Sequence, residues 1–203
     1  MRSIQYITDF GDQAVVLPLA IAIALIFALS EWRRGAFAWT AAIGGTLGLI
    51  LFMKLSFLAC AHVVPEARLR SPSGHTAAAA AVYGGLIAMV MRSTWDNKRW
   101  AFPCTVVIAA LVAVIFGTSR VMLGLHSIAE VLVGGAIGVG GAVSYVVLAG
   151  TPVRTVRILR VVPVSLLALI MLHGFHLPAE AAIKSAAINL WPFSDCIRTA
   201  NNR

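Results

Sequence analysis

Residues 71–91 read SPSGHTAAAAAVYGGLIAMVM, a short polar turn followed by an apolar run. The run approaches the roughly 20 apolar residues that a helix needs to cross a bilayer. Pro72 and Ser73 favour the first positions of a helix, so the stretch predicts a membrane helix that begins at Gly74. Ionisable groups at such a boundary, here His75, are functional candidates because charge is costly near lipid.

The composition of the whole chain indicates a membrane protein. Of the 203 residues, 60% are hydrophobic and 12% are charged, and the mean hydropathy is +0.89. A soluble domain is about half apolar and about a quarter charged. We therefore expect an all-α polytopic membrane protein, with six transmembrane helices in a bundle and a single domain over residues 1–203. The predicted spans are 13–30, 36–56, 74–91, 101–118, 124–149 and 158–174.

The two ends of the chain carry weaker signals. Asp9 and Asp12 precede the first predicted span, and no small-residue cleavage site follows it, so a cleavable signal is not expected. Residues 178–203 are mildly apolar but too interrupted to form a seventh span. This tail could instead form an interfacial helix, because Trp191 favours the membrane–water boundary.

The basic residues lie in short loops between the apolar runs. Despite the net charge of +8, this distribution argues against a nucleic-acid partner and is typical of membrane topology. Six spans place the loops on alternate sides of the membrane. The loops after the first, third and fifth spans carry eight Lys and Arg residues, and the opposite side also carries eight. On that opposite side, four belong to the candidate site and three lie in the tail. With those seven set aside, the loops after the first, third and fifth spans are predicted to be cytoplasmic, and we expect an inner-membrane protein whose site faces the periplasm or the cell exterior.

Glycines cluster in three of the predicted spans. They let helix backbones approach closely, and therefore predict helix packing. The same faces would serve contacts within one chain or between chains, so the oligomeric state stays open. The clusters are Gly44-Gly45 with Gly48, Gly84-Gly85, and Gly134-Gly135 with Gly138 and Gly141.

The turn before the third predicted span has the parts of an anion site. Backbone amides at a helix N-terminus bind anions, and Gly74 lets a ligand come close to the backbone. His75 lies in the first turn, where it can transfer a proton at neutral pH. Arg68 and Arg70 lie just upstream. The alternative is an ordinary helix cap with an incidental histidine.

A second polar cluster lies further along the chain. Ser119 and Arg120 end one apolar run, and His126 and Glu130 open the next. Residues four apart share a helix face, so the carboxylate can accept from Nδ1 of His126 and leave Nε2 as a nucleophile. Arg120 suits bidentate contact with a phosphate. The alternatives are a local His–Glu pair and a snorkelling arginine.

Lys54 is a lone cation near the end of the second predicted span. It either snorkels toward water or contacts a ligand on the same side as the two clusters. Taken together, these groups predict a phosphate-binding site at a membrane surface.

These motifs resemble those of the type 2 phosphatidic acid phosphatase superfamily, which shares its phosphate site with vanadium haloperoxidases. The second family motif, Pro-Ser-Gly-His, is present unchanged at residues 72–75. The third is Ser-Arg, five residues, His, three residues and Asp. It is matched at Ser119, Arg120 and His126, with Glu130 in place of the aspartate.

The first family motif, Lys, six residues and then Arg-Pro, is only partly present. Lys54 fits its lysine, but the position of its arginine is occupied by Ala61. Arg68 or Arg70 would supply the missing cation, and Arg70 is favoured because it lies closer to the second motif. The resemblance covers roughly residues 36–150.

The resemblance implies a lipid phosphatase that needs no metal or other cofactor. His126 would attack phosphorus and form a phosphohistidine, Glu130 would orient it, and His75 would protonate the leaving oxygen. The substrate would be a membrane lipid phosphate or a polyprenyl diphosphate. Phosphoryl oxygens would be held by Lys54, Arg70, Ser73, Gly74 and Arg120, with Arg68 as the alternative to Arg70.

Two other functions compete with this interpretation. A catalytically silent protein that only binds lipid phosphates would explain Glu130 and the incomplete first motif. A transporter would place ionisable groups in the middle of its helices, whereas here they cluster at helix ends.

The three cysteines carry one further hypothesis. Cys60 and Cys196 fall on the same, outward side of the predicted topology, so they either form a disulfide or are unrelated. Cys104 lies in an apolar run and is expected to be a packing residue.

Overall fold

The computed structural model of the chain describes residues 2–59, 71–94, 100–150, 158–178, 181–183 and 185–186. Within these ranges the regular structure is helical and contains no strand, which confirms the all-α prediction. The helices are α1 (Arg2–Asp9), α2 (Gln13–Leu29), α3 (Arg33–Ala59), α4 (Gly74–Thr94), α5 (Ala101–Met122), α6 (Ile128–Ala149) and α7 (Ile158–Leu172).

Five stretches of the described chain are helical, long and apolar enough to cross a membrane. The sixth predicted span, 158–174, coincides with α7, whose apolar part Val161–Leu172 is shorter than a full crossing. The chain is therefore a polytopic helical membrane protein, but the count of six spans is not confirmed. The five stretches are Ser3–Leu29, which joins α1 to α2, Arg33–Phe57, Gly74–Ser93, Ala101–Met122 and Ile128–Ala149.

Helix α4 lies at the centre of the bundle. Residues 77–81 are all alanine and all completely buried, and 67% of the spanning window of α4 is buried against 28% for α5. The alanines keep α4 thin, so neighbouring helices approach its backbone closely. Helix α5 instead exposes large apolar side chains such as Leu111 and Val114, as expected for a surface in contact with lipid.

Helix α6 packs against the first turns of α4 through its glycines. A side chain at Gly134 would collide with the carbonyl of Ser73, and a side chain at Gly138 would collide with that of Ala77. These contacts confirm that the α6 glycines serve helix packing. They also hold the start of α6 beside the start of α4.

The glycines of α3 do not pack in this way. Within the described part of the chain, nothing lies within 4 Å of a Cβ built at Gly44, Gly45 or Gly48, and all three residues are exposed. A glycine pattern identifies a thin helix face, but it does not determine whether a neighbouring helix covers that face.

Arginines hold the end of the bundle where α3 begins and α4 and α6 end. Nε of Arg34 donates to O of Leu148 at 2.8 Å, and Nη1 of Arg92 donates to O of Val146 at 2.7 Å. Both arginines thereby satisfy carbonyls that the end of α6 leaves unpaired. The candidate site residues lie at the other end, where α3 and α5 end and α4 and α6 begin.

Candidate active site

Hydrogen bonds hold the turn that starts α4. Oγ of Ser73 accepts from Oγ1 and N of Thr76, at 2.9 and 3.4 Å, as an N-cap serine does. N of Ser73 donates to O of Glu130 at 3.0 Å, and Ser73 is completely buried. Helix α4 begins at Gly74, as predicted, with His75 in its first turn.

Lys54 of α3 lies beside this turn. A Cβ built at Gly74 would be 3.6 Å from Cε of Lys54 and 3.9 Å from Nε2 of Gln13. Lys54 is only 6% exposed, so its side chain does not snorkel into open water. The structure thus places a buried cation next to a helix N-terminus, where an anion would be bound.

His126 meets Glu130 through a capping box at the start of α6. Nδ1 of His126 lies 3.0 Å from Oε2 of Glu130. The same oxygen accepts from N of Ser127 at 3.0 Å, and Oγ of Ser127 accepts from N of Glu130 at 3.3 Å. Helix α6 begins at Ile128, so the predicted span 124–149 starts too early. The pair therefore does not share a helix face; it forms because the capping box turns the carboxylate back toward the histidine.

Glu130 also connects the two motifs. Its Oε1 accepts from N of Ser71 at 3.0 Å, and its backbone O accepts from N of Ser73 at 3.0 Å. One carboxylate oxygen therefore faces His126 while the other holds the segment that leads into α4. The motif spacing predicts the contact with His126 but gives no signal for the contact with Ser71.

Ser119 and Arg120 lie inside the last turn of α5, which ends at Met122. The predicted end at residue 118 is too early, because the helix continues to Met122. Gly124 follows with a φ of 67°, the left-handed conformation that ends helices. Both Ser119 and Arg120 are buried. Nη1 of Arg120 lies 3.5 Å from Oγ1 of Thr8, so the guanidinium reaches across to α1.

The surroundings of His126 favour its neutral form. Its side chain is 6% exposed, and this burial lowers the pKa of His126 below its ordinary value. The hydrogen bond to Glu130 opposes the shift, whereas the charges of Arg120 and Lys54 add to it. Because an ionised carboxylate only accepts hydrogen bonds, Nδ1 carries the proton and Nε2 carries a lone pair.

Asp12 is a neighbour of the site that the sequence motifs do not predict. Its Oδ2 lies 3.5 Å from Nε2 of His75, and the residue is the N-cap of α2. An aspartate before an apolar run is a signal for a helix start. Only the fold shows that this helix start lies beside His75.

Some predicted residues lie outside the described ranges. They are Cys60, Ala61, Arg68, Arg70 and Cys196. Cys104 lies in α5 as a free thiol. Among the residues that the structure does describe, no group of three or more His, Cys, Asp and Glu side chains is placed to hold a metal ion.

Fold and site together define a helical membrane protein with two histidines and two buried cations at one end of its bundle. The family model of the PAP2 superfamily matches residues 4–154, and the chain belongs to that superfamily, which is of phosphatase type. The match includes most of α1 and all of α2, which the motif resemblance did not cover.

The name of one similar protein gives only its size and its genomic location. It is the "Uncharacterized 22.5 kDa protein in cps region" of Klebsiella pneumoniae, 29% identical over 145 residues, which are 71% of this chain and 68% of the relative. No solved structure matches the chain.

Proposed function

We propose that this protein is a phosphatase that removes phosphate from a membrane lipid through a phosphohistidine on His126. The observation that carries the proposal is the Glu130 contact with Nδ1 of His126, which leaves Nε2 as the nucleophilic atom. The same glutamate holds the segment that leads to His75. Nucleophile and acid are thus connected through one side chain.

The proposed reaction has two steps. Nε2 of His126 attacks phosphorus, the bond from phosphorus to the lipid oxygen breaks, and that oxygen takes a proton from His75. Water then attacks the phosphohistidine and gives a proton to His75, while the electron pair of the phosphorus–nitrogen bond returns to His126. Glu130 keeps the imidazole in one orientation throughout.

Charge neutralisation would come from the protein itself. Phosphoryl transfer depends mainly on positioning and on stabilising the phosphoryl oxygens. We assign this task to Lys54, Arg120 and the amides at the start of α4 beside Ser73 and Gly74. On the sequence alone, we also assign it to Arg70, with Arg68 as the alternative, and we propose that no metal ion takes part.

A groove between α5 and α6 supports a lipid as the substrate. It has a volume of about 490 Å³ and is apolar, with a lining that includes Ala113 and Val121 of α5 and Ile128, Leu132 and Ala136 of α6. This volume lies within the range of roughly 300–1,000 Å³ typical of ligand sites. Because Val121 and Ile128 are close in sequence to the third motif, the groove leads from the phosphate-binding end along the bundle.

We further propose that the site faces the periplasm or the cell exterior, from the inner membrane. The support is the position of Arg34 and Arg92, which hold the opposite end of the bundle. Basic residues favour the cytoplasmic side.

The test is release of inorganic phosphate by the purified protein in detergent. The substrates to be assayed are phosphatidic acid, phosphatidylglycerophosphate, a polyprenyl diphosphate and lipid A phosphates, each with and without a chelator. We expect release from at least one lipid, unaffected by the chelator. His126→Gln should abolish it, and His75→Gln should lower it by roughly 10²- to 10⁴-fold, as expected when a general acid is lost.

His173→Gln is the matched control, because His173 belongs to neither motif and its ring packs on Tyr6 and Phe10. It should retain the activity of the wild type. All three variants must elute as folded protein of unchanged size. A His126→Gln variant that still releases phosphate would refute the proposed nucleophile.

The second candidate function is a catalytically silent protein that binds lipid phosphates. The observations that favour it are Glu130 in place of the family aspartate and Ala61 in the first motif. A wild-type protein that binds the assayed lipids but releases no phosphate from any of them would establish it in place of the phosphatase.

A further inference from the structure

The carboxylate of Asp12 joins three parts of the molecule. Oδ1 accepts from N of Ala14 at 2.8 Å and from N of Leu177 at 3.3 Å. Oδ2 lies 3.5 Å from Nε2 of His75 and 3.6 Å from Nδ1 of His176. Asp12 is 8% exposed. One oxygen therefore satisfies backbone amides, and the other is directed at histidines.

The pair of His75 and Asp12 repeats the arrangement of His126 and Glu130. In each pair the carboxylate also caps the start of a helix, α2 for Asp12 and α6 for Glu130. The two contacts use opposite ring nitrogens, Nε2 in His75 and Nδ1 in His126. Glu130 thus leaves Nε2 of His126 for the reaction, and Asp12 leaves Nδ1 of His75.

The negative charge of Asp12 affects the protonation of His75. Cε of Lys54 lies near Gly74, the residue before His75, so a buried cation is close to the imidazole. A nearby cation disfavours the protonated imidazole that a general acid needs, and a nearby carboxylate favours it. The charge of Asp12 partly offsets the charges of Arg120 and Lys54 at His75.

We propose that Asp12 is the positioning residue of His75, an inference that rests on the proposed phosphatase function. Asp12 accepts a hydrogen bond from the Nε2–H group and keeps Nδ1 directed at the leaving oxygen. In the first step Nδ1 gives its proton to that oxygen as the phosphorus–oxygen bond breaks. In the second step Nδ1 takes a proton from the attacking water, while Nε2 keeps its own proton throughout and donates it in a hydrogen bond to Asp12.

The test is Asp12→Asn with two substrates that differ in leaving group. Asparagine caps helices as well as aspartate does, so α2 should keep its start. A lipid phosphate has a basic alkoxide leaving group that needs a proton, whereas p-nitrophenyl phosphate has a weakly basic one. For the lipid we expect kcat to fall by roughly 10- to 100-fold with little change in KM. For p-nitrophenyl phosphate the fall should be much smaller, and Asp12→Glu should recover part of the lipid activity.

Asp9→Asn is the matched control. It makes the same change of charge three residues earlier, at a carboxylate whose Oδ1 lies 3.8 Å from Nε2 of His176. The ratio of the two activities should stay at the wild-type value. Thermal unfolding in detergent checks the fold of each variant. If Asp12→Asn does not fold, Asp12→Ser, another good N-cap without charge, replaces it.

The outcomes separate the two proposals. A wild-type protein that releases phosphate from none of the lipids tested above and none from p-nitrophenyl phosphate would overturn the phosphatase function and, with it, the role of Asp12. A wild-type protein active on both, with an Asp12→Asn variant whose activity ratio is unchanged, would overturn the role of Asp12 alone and leave it as a helix cap.

Discussion

At the residue scale, the length of Glu130 fits its surroundings. The family motif has aspartate at this position, but here Oε2 meets His126 and Ser127 while Oε1 reaches N of Ser71. A side chain one methylene shorter would span these partners less well. The glutamate therefore suits a site in which one carboxylate holds both motifs together.

The neutral state of His126 determines the expected pH dependence. Burial, together with Arg120 and Lys54, outweighs Glu130 and lowers the pKa of His126, so the proposed nucleophile stays deprotonated below the ordinary histidine pKa of about 6.5. We expect the acid limb of kcat/KM to lie below that pH. It should lie lower still in Glu130→Gln, which retains the capping box but removes the anion that raises the pKa. A wild-type acid limb at or above about pH 6.5 would contradict this.

Most of the described site could be predicted from residue spacing. His75, Ser73 and Gly74 follow from one motif and His126 with Glu130 from another, and the structure brings both motifs to one end of the bundle. Asp12 could not be predicted, because its contact with His75 joins helix starts that are far apart in the sequence. A cap is a common local signal that does not identify its neighbours.

At the scale of elements, the pattern of apolar residues predicts that the long helices exist better than it predicts where they end. Helix α5 ends at Met122, shortly before the left-handed Gly124, and α6 begins after Ser127. These local signals override the end of the apolar run. Helix α1 was not predicted because residues such as Gln5 and Asp9 interrupt its apolar pattern. Hydropathy reports burial in lipid, whereas caps and left-handed glycines determine where a helix stops.

The contact between α6 and α4 should tolerate no added methyl group. We expect Gly138→Ala to destabilise the protein by about 1–3 kcal/mol, because the new Cβ would overlap Ala77 and Ala80. Gly140→Ala is the control, since no described residue lies within 4 Å of a Cβ built at Gly140 and alanine is the better helix former by up to about 1 kcal/mol. Denaturant unfolding in detergent measures both; equal stabilities for the two variants would argue against tight packing at Gly138.

At the scale of the whole molecule, the α5–α6 groove should determine preference for chain length. Ala136→Trp would fill part of the groove, so KM for a long-chain lipid phosphate should rise by roughly 10-fold, while a short-chain analogue should be little affected. Val147→Trp, at an exposed position of α6 that does not line the groove, is the control. Equal effects of Ala136→Trp on both chain lengths would place the lipid chain elsewhere.

Alternating helices predict which residues share an end of the bundle, and the structure places Lys54, Ser73, Arg120 and His126 accordingly. The sequence does not predict contacts between distant segments. The segment after α7 meets the segment around α1 through His173, whose Nε2 lies 3.2 Å from O of Tyr6. Aromatic and backbone contacts of this kind leave no periodic pattern.

The bond between Asp12 and N of Leu177 has a consequence for biogenesis. Because synthesis runs from the N-terminus, the helices that carry both family motifs leave the ribosome before residue 177 does. A nascent chain can therefore assemble His126, Glu130 and the start of α4 while Asp12 still lacks its last backbone partner. Translation of the segment after α7 is the event that completes the surroundings of His75, so the protein would mature only once that segment has docked.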